Sequence, residues 1–188
     1  DLTTAQISLD LYPWMFLLPD GRLVNSGPFR TTRYLDPAGT GSWSPLGLSN
    51  FGFRDYGSSV MYETGKIMIV GGSGPPTSSA EVIDLNVASP VWRTVAPMAN
   101  ARRHLNTTIL PDGKVLATGG SSGGGFDNSA FPVQTAELWD PTTEAWTPMA
   151  SFQTPVYRGY HSTALLLPDG RVLSAGGNGN PSAEIYSP

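Results

Sequence analysis

Four residues that could do chemistry share one register. Turn glycines recur at Gly21, Gly65, Gly113 and Gly170, and nine positions before each stand Tyr12, Tyr56, His104 and His161. One position earlier come Leu11, Asp55, Arg103 and Tyr160. Both histidines of the chain fall in this register. Phenol and imidazole groups that converge on one point make a candidate functional site. The same positions can equally be hydrogen-bonded packing residues, and His104 is read that way. Arg102 and Arg103 could steer a polar substrate, but they are read as ion-pair partners between repeats.

The elements that must position these residues repeat with them. Ala164–Leu167 and Val172–Leu173 are apolar runs too short for helices, and turn residues bound both. They form a buried strand, a Pro-Asp-Gly turn and a second strand ending at Gly176-Gly177. The same order appears at 106–120, at 14–27 with one glycine of the pair lost, and at 58–72 with a different turn, with glycine pairs at Gly71-Gly72 and Gly119-Gly120. The turn glycines are spaced by 44, 48 and 57 residues, near the roughly 50 of a kelch repeat. A third strand is expected at Thr31–Pro37, Ser79–Leu85, Thr135–Pro141 and Ser182–Pro188. A fourth, carrying a tryptophan, is expected at Ser42–Pro45, Val91–Thr94 and Ala145–Pro148.

Four antiparallel strands per repeat predict an all-β, kelch-type β-propeller segment. Its blades run roughly 1–47, 48–98, 99–150 and 151–188, the last lacking its tryptophan strand. Each sheet needs neighbours on its apolar faces. The glycine pairs suit close backbone approach, and the tryptophans are read as packing between blades. In a propeller the first strand is innermost, which would bring the Tyr12, Tyr56, His104 and His161 register to the mouth of a central channel. Either Asp1–Leu11 supplies the missing strand or the chain is part of a longer protein. The second is preferred, and open blade edges would then invite self-association.

Composition narrows the function. With 11 basic and 15 acidic side chains the net charge is −4, so no basic face invites nucleic acid. No apolar run approaches a membrane span, and the N-terminus shows no signal peptide. The absence of cysteine removes disulfides and thiolate chemistry within this chain. Gly159-Tyr-His-Ser lacks the glycine flanks of a nucleophile elbow. Glu81, Glu137 and Glu184 share a third-strand register and are read as partners of arginines between blades rather than glycosidase carboxylates. Gly119–Gly125 lacks the lysine and helix of a phosphate loop.

The run Arg158-Gly-Tyr-His-Ser-Thr-Ala-Leu-Leu-Leu-Pro-Asp-Gly-Arg-Val172, with Gly176-Gly177 and Ala183-Glu-Ile-Tyr-Ser-Pro188, resembles the last kelch blade of galactose oxidase and glyoxal oxidase. The stretches 11–23 and 102–114 are similar to middle blades of glyoxal-oxidase-like relatives. The resemblance covers nearly the whole chain. It implies the C-terminal part of a larger seven-bladed propeller from a secreted copper radical oxidase, which turns primary alcohols or aldehydes over with dioxygen to give hydrogen peroxide. By motif, Tyr160 would be the axial tyrosine and general base, and His161 an equatorial copper ligand. Phenolate and imidazole suit a tetragonal copper(II) site. The family's tyrosine–cysteine cofactor has no counterpart here, and its second histidine ligand lies in a following domain. The chain alone is therefore expected to be inactive. Two alternatives are a non-catalytic kelch module binding carbohydrate or protein through loops Ser73–Ser79 and Ser121–Pro132, and a structural array. The glycine-rich part of the second loop reads as a flexible connection without a ligand.

Overall fold

The computed structural model describes residues 1–153 and 155–187, and every regular element among them is a β-strand. The first sheet comprises β1 (Trp14–Leu17), β2 (Leu23–Gly27), β3 (Thr31–Asp36) and β4 (Ser42–Leu48). The second comprises β5 (Ser58–Glu63), β6 (Lys66–Val70), β7 (Ala80–Asp84) and β8 (Arg93–Val95). The third comprises β9 (Arg103–Ile109), β10 (Val115–Ser121), β11 (Thr135–Asp140) and β12 (Ala145–Ser151). The fourth has three strands among the described residues: β13 (Ser162–Leu166), β14 (Val172–Gly176) and β15 (Ala183–Tyr186). Within each sheet, chain neighbours pair antiparallel in sequence order.

The turns explain the strand pairing locally. Asp20, Asp112 and Asp169 each accept the backbone N–H two residues on, at 3.0–3.1 Å. The following glycine supplies a left-handed φ and donates back to Leu18, Leu110 or Leu167.

The sheets stack through three apolar layers. Leu18, Val24, Ile67, Ile69, Ile83 and Trp92 fill the space between the first and second sheets. Val60, Met68, Val82, Leu105, Val115 and Trp139 fill that between the second and third. A smaller layer, Leu110, Leu116, Ala136 and Val172, joins the third and fourth. Trp92 shows the packing role expected of the tryptophans, donating from Nε1 to Thr32 Oγ1 of the previous repeat at 2.7 Å. It precedes β8 rather than lying in it. Hydroxyl and amide contacts also join neighbouring repeats along the first strands: Ser58–Thr107 at 2.7 Å and Asn106–Ser162 at 3.1 Å.

Two of the three glycine pairs make the close approach expected of them; at Gly176-Gly177 an added Cβ would meet nothing nearer than 3.1 Å. A Cβ on Gly72 would lie 2.6 Å from Gly57 N, and one on Gly71 2.7 Å from the Arg102 carbonyl. The Gly72 N–H donates to that Arg102 carbonyl at 2.9 Å, tying the second repeat to the third. Gly119-Gly120 repeats the device against Arg158, with Gly120 N–H donating at 2.7 Å.

Several expectations need correction. Glu81 and Glu137 pair with Arg54 and Arg102 inside the same repeat, not between repeats. Each carboxylate also caps the N–H groups of the segment leading into its own sheet, Asn50-Phe51 or Ala99-Asn100. Glu184 forms no ion pair among the described residues and takes the Gln153 N–H instead. Arg103 does link repeats, through Asp55 at 2.6 Å. Residues near the N-terminus lie on the first sheet, where Trp43 Nε1 donates to the Ala5 carbonyl at 2.8 Å. They do not complete the fourth sheet. The strand read as buried, β13, exposes Leu165, whose face no sheet of the described residues covers, and also Leu166 on the opposite face. Pro188, the end of the last expected third strand, lies outside the described residues.

Candidate functional site

The four register-equivalent residues all adopt the same unusual backbone. Tyr12, Tyr56, His104 and His161 have φ of 56°, 54°, 60° and 63°, the left-handed region where a side chain is disfavoured. Two of the corners close as tight turns. Gly57 N–H donates to Arg54 at 2.8 Å, and Ser162 N–H to Gly159 at 3.0 Å, which puts Tyr56 and His161 at the third position. The corners lead into β5 and β13, and Tyr12 and His104 hold the equivalent places at β1 and β9. All four side chains, with Tyr160, line one cleft of about 300 Å³.

The cleft is built from aromatic rings in contact. Tyr12 and Tyr160, from opposite ends of the chain, share a hydroxyl–hydroxyl hydrogen bond of 3.1 Å. Tyr160 stacks on His161 with centroids 3.8 Å apart and meets Tyr56 edge-on at 5.6 Å. The Tyr56 ring lies 4.5 Å from that of His104. The hydrogen bond to Tyr12, followed by burial, pushes the Tyr160 hydroxyl up to about 12. Burial lowers His104, leaving it neutral at physiological pH.

The two histidines are not equivalent. His104 is buried, and its Nε2 faces the Phe126 carbonyl at 2.5 Å. The exposed imidazole of His161 has no hydrogen-bond partner among the described residues. Arg103 sits behind the cleft rather than in its lining. It donates to Asp55 and to the Gly125 carbonyl at 2.6 and 2.7 Å, with its guanidinium 5.1 Å from the Tyr56 ring. With Asp55 as its partner, Arg103 is not a free cation for a substrate.

Sequence reasoning missed Phe126, Asp127 and Tyr157. The Phe126 ring packs against Tyr56, His104 and Tyr160 at 5.1, 5.4 and 4.9 Å. Asp127 accepts a hydrogen bond from the Tyr157 hydroxyl and another from the Tyr160 N–H. Burial raises its carboxyl, but these bonds outweigh that and hold it below the usual carboxylate range. The loop read as a flexible connection is therefore fastened to the cleft. An aromatic–carboxylate pair inside a glycine-rich run was the available signal.

Comparison with known proteins gives this geometry a lineage. Residues 73–187 match the family model described as glyoxal oxidase N-terminus. Galactose oxidase of Gibberella zeae is 32% identical over 185 residues, covering 89% of this chain and 27% of that protein. Aldehyde oxidase GLOX of Vitis pseudoreticulata is 31% identical over 192 residues, covering 90% of this chain and 36% of that one. A fungal alcohol oxidase of the AA5 family, solved in complex with copper, superposes with a TM-score of 0.88 at 30% identity. That match covers 99% of this chain and 42% of the oxidase chain. The chain thus spans 27–42% of the length of these relatives. It belongs to the galactose oxidase and glyoxal oxidase family of copper radical oxidase-like proteins.

Proposed function

We propose that the four sheets are consecutive blades of a kelch-type propeller, roughly 1–47, 48–98, 99–150 and 151–188, within a larger seven-bladed ring. The chain is then the C-terminal propeller portion of a secreted oxidase acting on small primary alcohols, aldehydes or carbohydrates. The contact between Tyr12 and Tyr160, 148 residues apart, supports an arc of blades around a common cleft. The observation that carries the site is the stacked Tyr160–His161 pair, whose imidazole has no hydrogen-bond partner among the described residues.

The donor chemistry fits copper: an imidazole nitrogen and a phenol oxygen side by side, with a second phenol oxygen 3.1 Å from the first. Tyr160 and His161 would hold the metal. Copper, when bound, supplies a Lewis-acidic one-electron redox centre. The Tyr160 hydroxyl is held up by its hydrogen bond to Tyr12, so it would take the substrate hydroxyl proton once bound copper has lowered it to the phenolate. Tyr56 lines the cleft beside Tyr160, and the Phe126 ring packs against both. In the overall reaction two electrons and two protons leave the carbinol carbon and oxygen, and dioxygen takes them up as hydrogen peroxide. This chain has no cysteine, so a thioether-linked tyrosine would come from outside it, and the chain alone is expected to be inactive. A second reading, a non-catalytic kelch module binding carbohydrate or protein through its loops, draws on one observation. Among the described residues no three His, Cys, Asp or Glu side chains converge.

Copper(II) titration by calorimetry and EPR separates the two. Stoichiometric binding with nitrogen hyperfine lines, lost in His161→Ala, is expected. Weak binding that His161→Ala leaves unchanged would favour the second reading.

A further inference from the structure

The loop between β10 and β11 grips the backbone on both sides of Tyr160. Asp127 Oδ1 accepts the Tyr160 N–H at 3.2 Å, and its Oδ2 accepts from Asn178 Nδ2 at 3.2 Å. The Asn178 backbone N–H in turn donates to the Tyr160 carbonyl at 2.9 Å. The third donor to Asp127 is the Tyr157 hydroxyl. The Tyr157 ring lies over Gly159, the first residue of the turn, where any Cβ would overlap it. The loop is itself braced: Ser121 Oγ donates to the Asn128 carbonyl at 2.6 Å, Asn128 Nδ2 to Gly124 at 2.8 Å, and Arg103 to Gly125 at 2.7 Å. This bracing matters because the turn holds His161 at φ 63°. A side chain resists that conformation by roughly 1–2 kcal/mol, so the turn needs restraint from outside itself.

We infer that Asp127 is a positioning residue for the Tyr160–His161 pair, fixing the turn through the Tyr160 amide and, via Asn178, its carbonyl. The inference rests on reading that pair as the copper ligands. Asp127 does not line the cleft, so it acts through the backbone and not on substrate. Partners that orient ligands typically carry 10–100-fold in metal affinity.

The test measures copper(II) affinity and amide hydrogen exchange on the chain with Asp127→Ala and Asp127→Asn. In Asp127→Ala, copper binding is expected to weaken by about 10–100-fold and Tyr160 amide protection to be lost, with β5–β7 protection unchanged. Asp127→Asn keeps Oδ1 for the Tyr160 N–H and the Tyr157 hydroxyl, and its new NH2 can donate to Asn178 once that side-chain amide flips, so both signals should be largely restored. Tyr157→Phe removes one brace, leaves the carboxylate, and should lower Tyr160 protection in the same direction even if Asp127→Ala fails to fold. Unchanged copper affinity and Tyr160 protection in Asp127→Ala would overturn the assignment. So would equal losses in the Ala and Asn variants. If the wild-type chain takes no copper while Tyr160 protection still depends on Asp127, the copper reading falls and the positioning role stands.

Discussion

A left-handed backbone at a residue bearing a Cβ is unfavourable by roughly 1–2 kcal/mol, and Tyr12, Tyr56, His104 and His161 all adopt it. Strain repeated at one register and gathered round one cleft is the pattern of a site held by its surroundings. His161 offers a clean measurement because its ring is exposed and lacks a hydrogen-bond partner among the described residues. His161→Gly and His161→Ala both delete the ring, but only alanine keeps the Cβ at φ 63°. The glycine variant is expected to be the more stable by about 1 kcal/mol in urea unfolding, and neither should retain a copper signal dependent on the imidazole. Equal stabilities would mean that the corner relaxes. The alignment of these four residues was legible in the sequence because the turn glycines provide a fixed ruler. Their φ values were not, since nothing in the types Tyr and His announces a left-handed corner. Asp127 was hidden for another reason: it lies in a non-repeating insertion, where a ruler built from repeats has no mark.

At the scale of the elements, two devices hold the sheets, and each makes a different demand on sequence. The glycine pair is a steric requirement. Gly72→Ala would place a Cβ 2.6 Å from Gly57 N and also sits at φ 81°, whereas Gly113→Ala, at φ 82°, meets nothing within 4 Å. The first should cost about 3 kcal/mol or more through clash plus strain, the second only about 1 kcal/mol, as read from denaturation midpoints. The Arg–Glu clamp is an electrostatic requirement. Burial raises Glu81, but N–H donation from Phe51 and Asn50 and the Arg54 partner outweigh it and leave it lowered from 4.5. A carboxyl depressed in the folded state binds its proton more readily when unfolded. Its stabilisation is therefore full above the unfolded value and is lost as pH falls through the folded one. Glu81→Gln should be destabilised at neutral pH yet lose less stability than wild type on acidification below about 4.5; parallel acid profiles would contradict this. The sequence displayed the glutamate register clearly, but not its partner. Arg54 and Arg102 lie in the segments leading into β5 and β9, and pairing inside a repeat or between repeats depends on how those segments cross the sheet.

For the whole molecule, the informative feature is a row of side chains with different fates in adjacent sheets. Leu165, Leu173 and Ile185 lie in register across β13, β14 and β15. The equivalent positions of the third sheet include Leu116 and Leu138, which pack in the layer beneath the fourth sheet. On the fourth sheet nothing among the described residues covers the row, and Leu165 and Ile185 are 54% and 49% exposed. A sheet patterned for burial on both faces but covered on one presents the kind of apolar patch that drives association. The first sheet is less open, because the N-terminal residues lie on its outer side. The isolated chain is therefore expected to pair through its fourth sheets, giving a concentration-dependent dimer in sedimentation equilibrium. Leu165→Lys together with Ile185→Lys should convert it to a monomer without lowering the stability of the first two sheets. A wild-type chain that stays monomeric at all concentrations would contradict the argument. A dimer that survives both lysines would move the contact to the free edge of β15, where strand pairing rather than apolar burial would hold it.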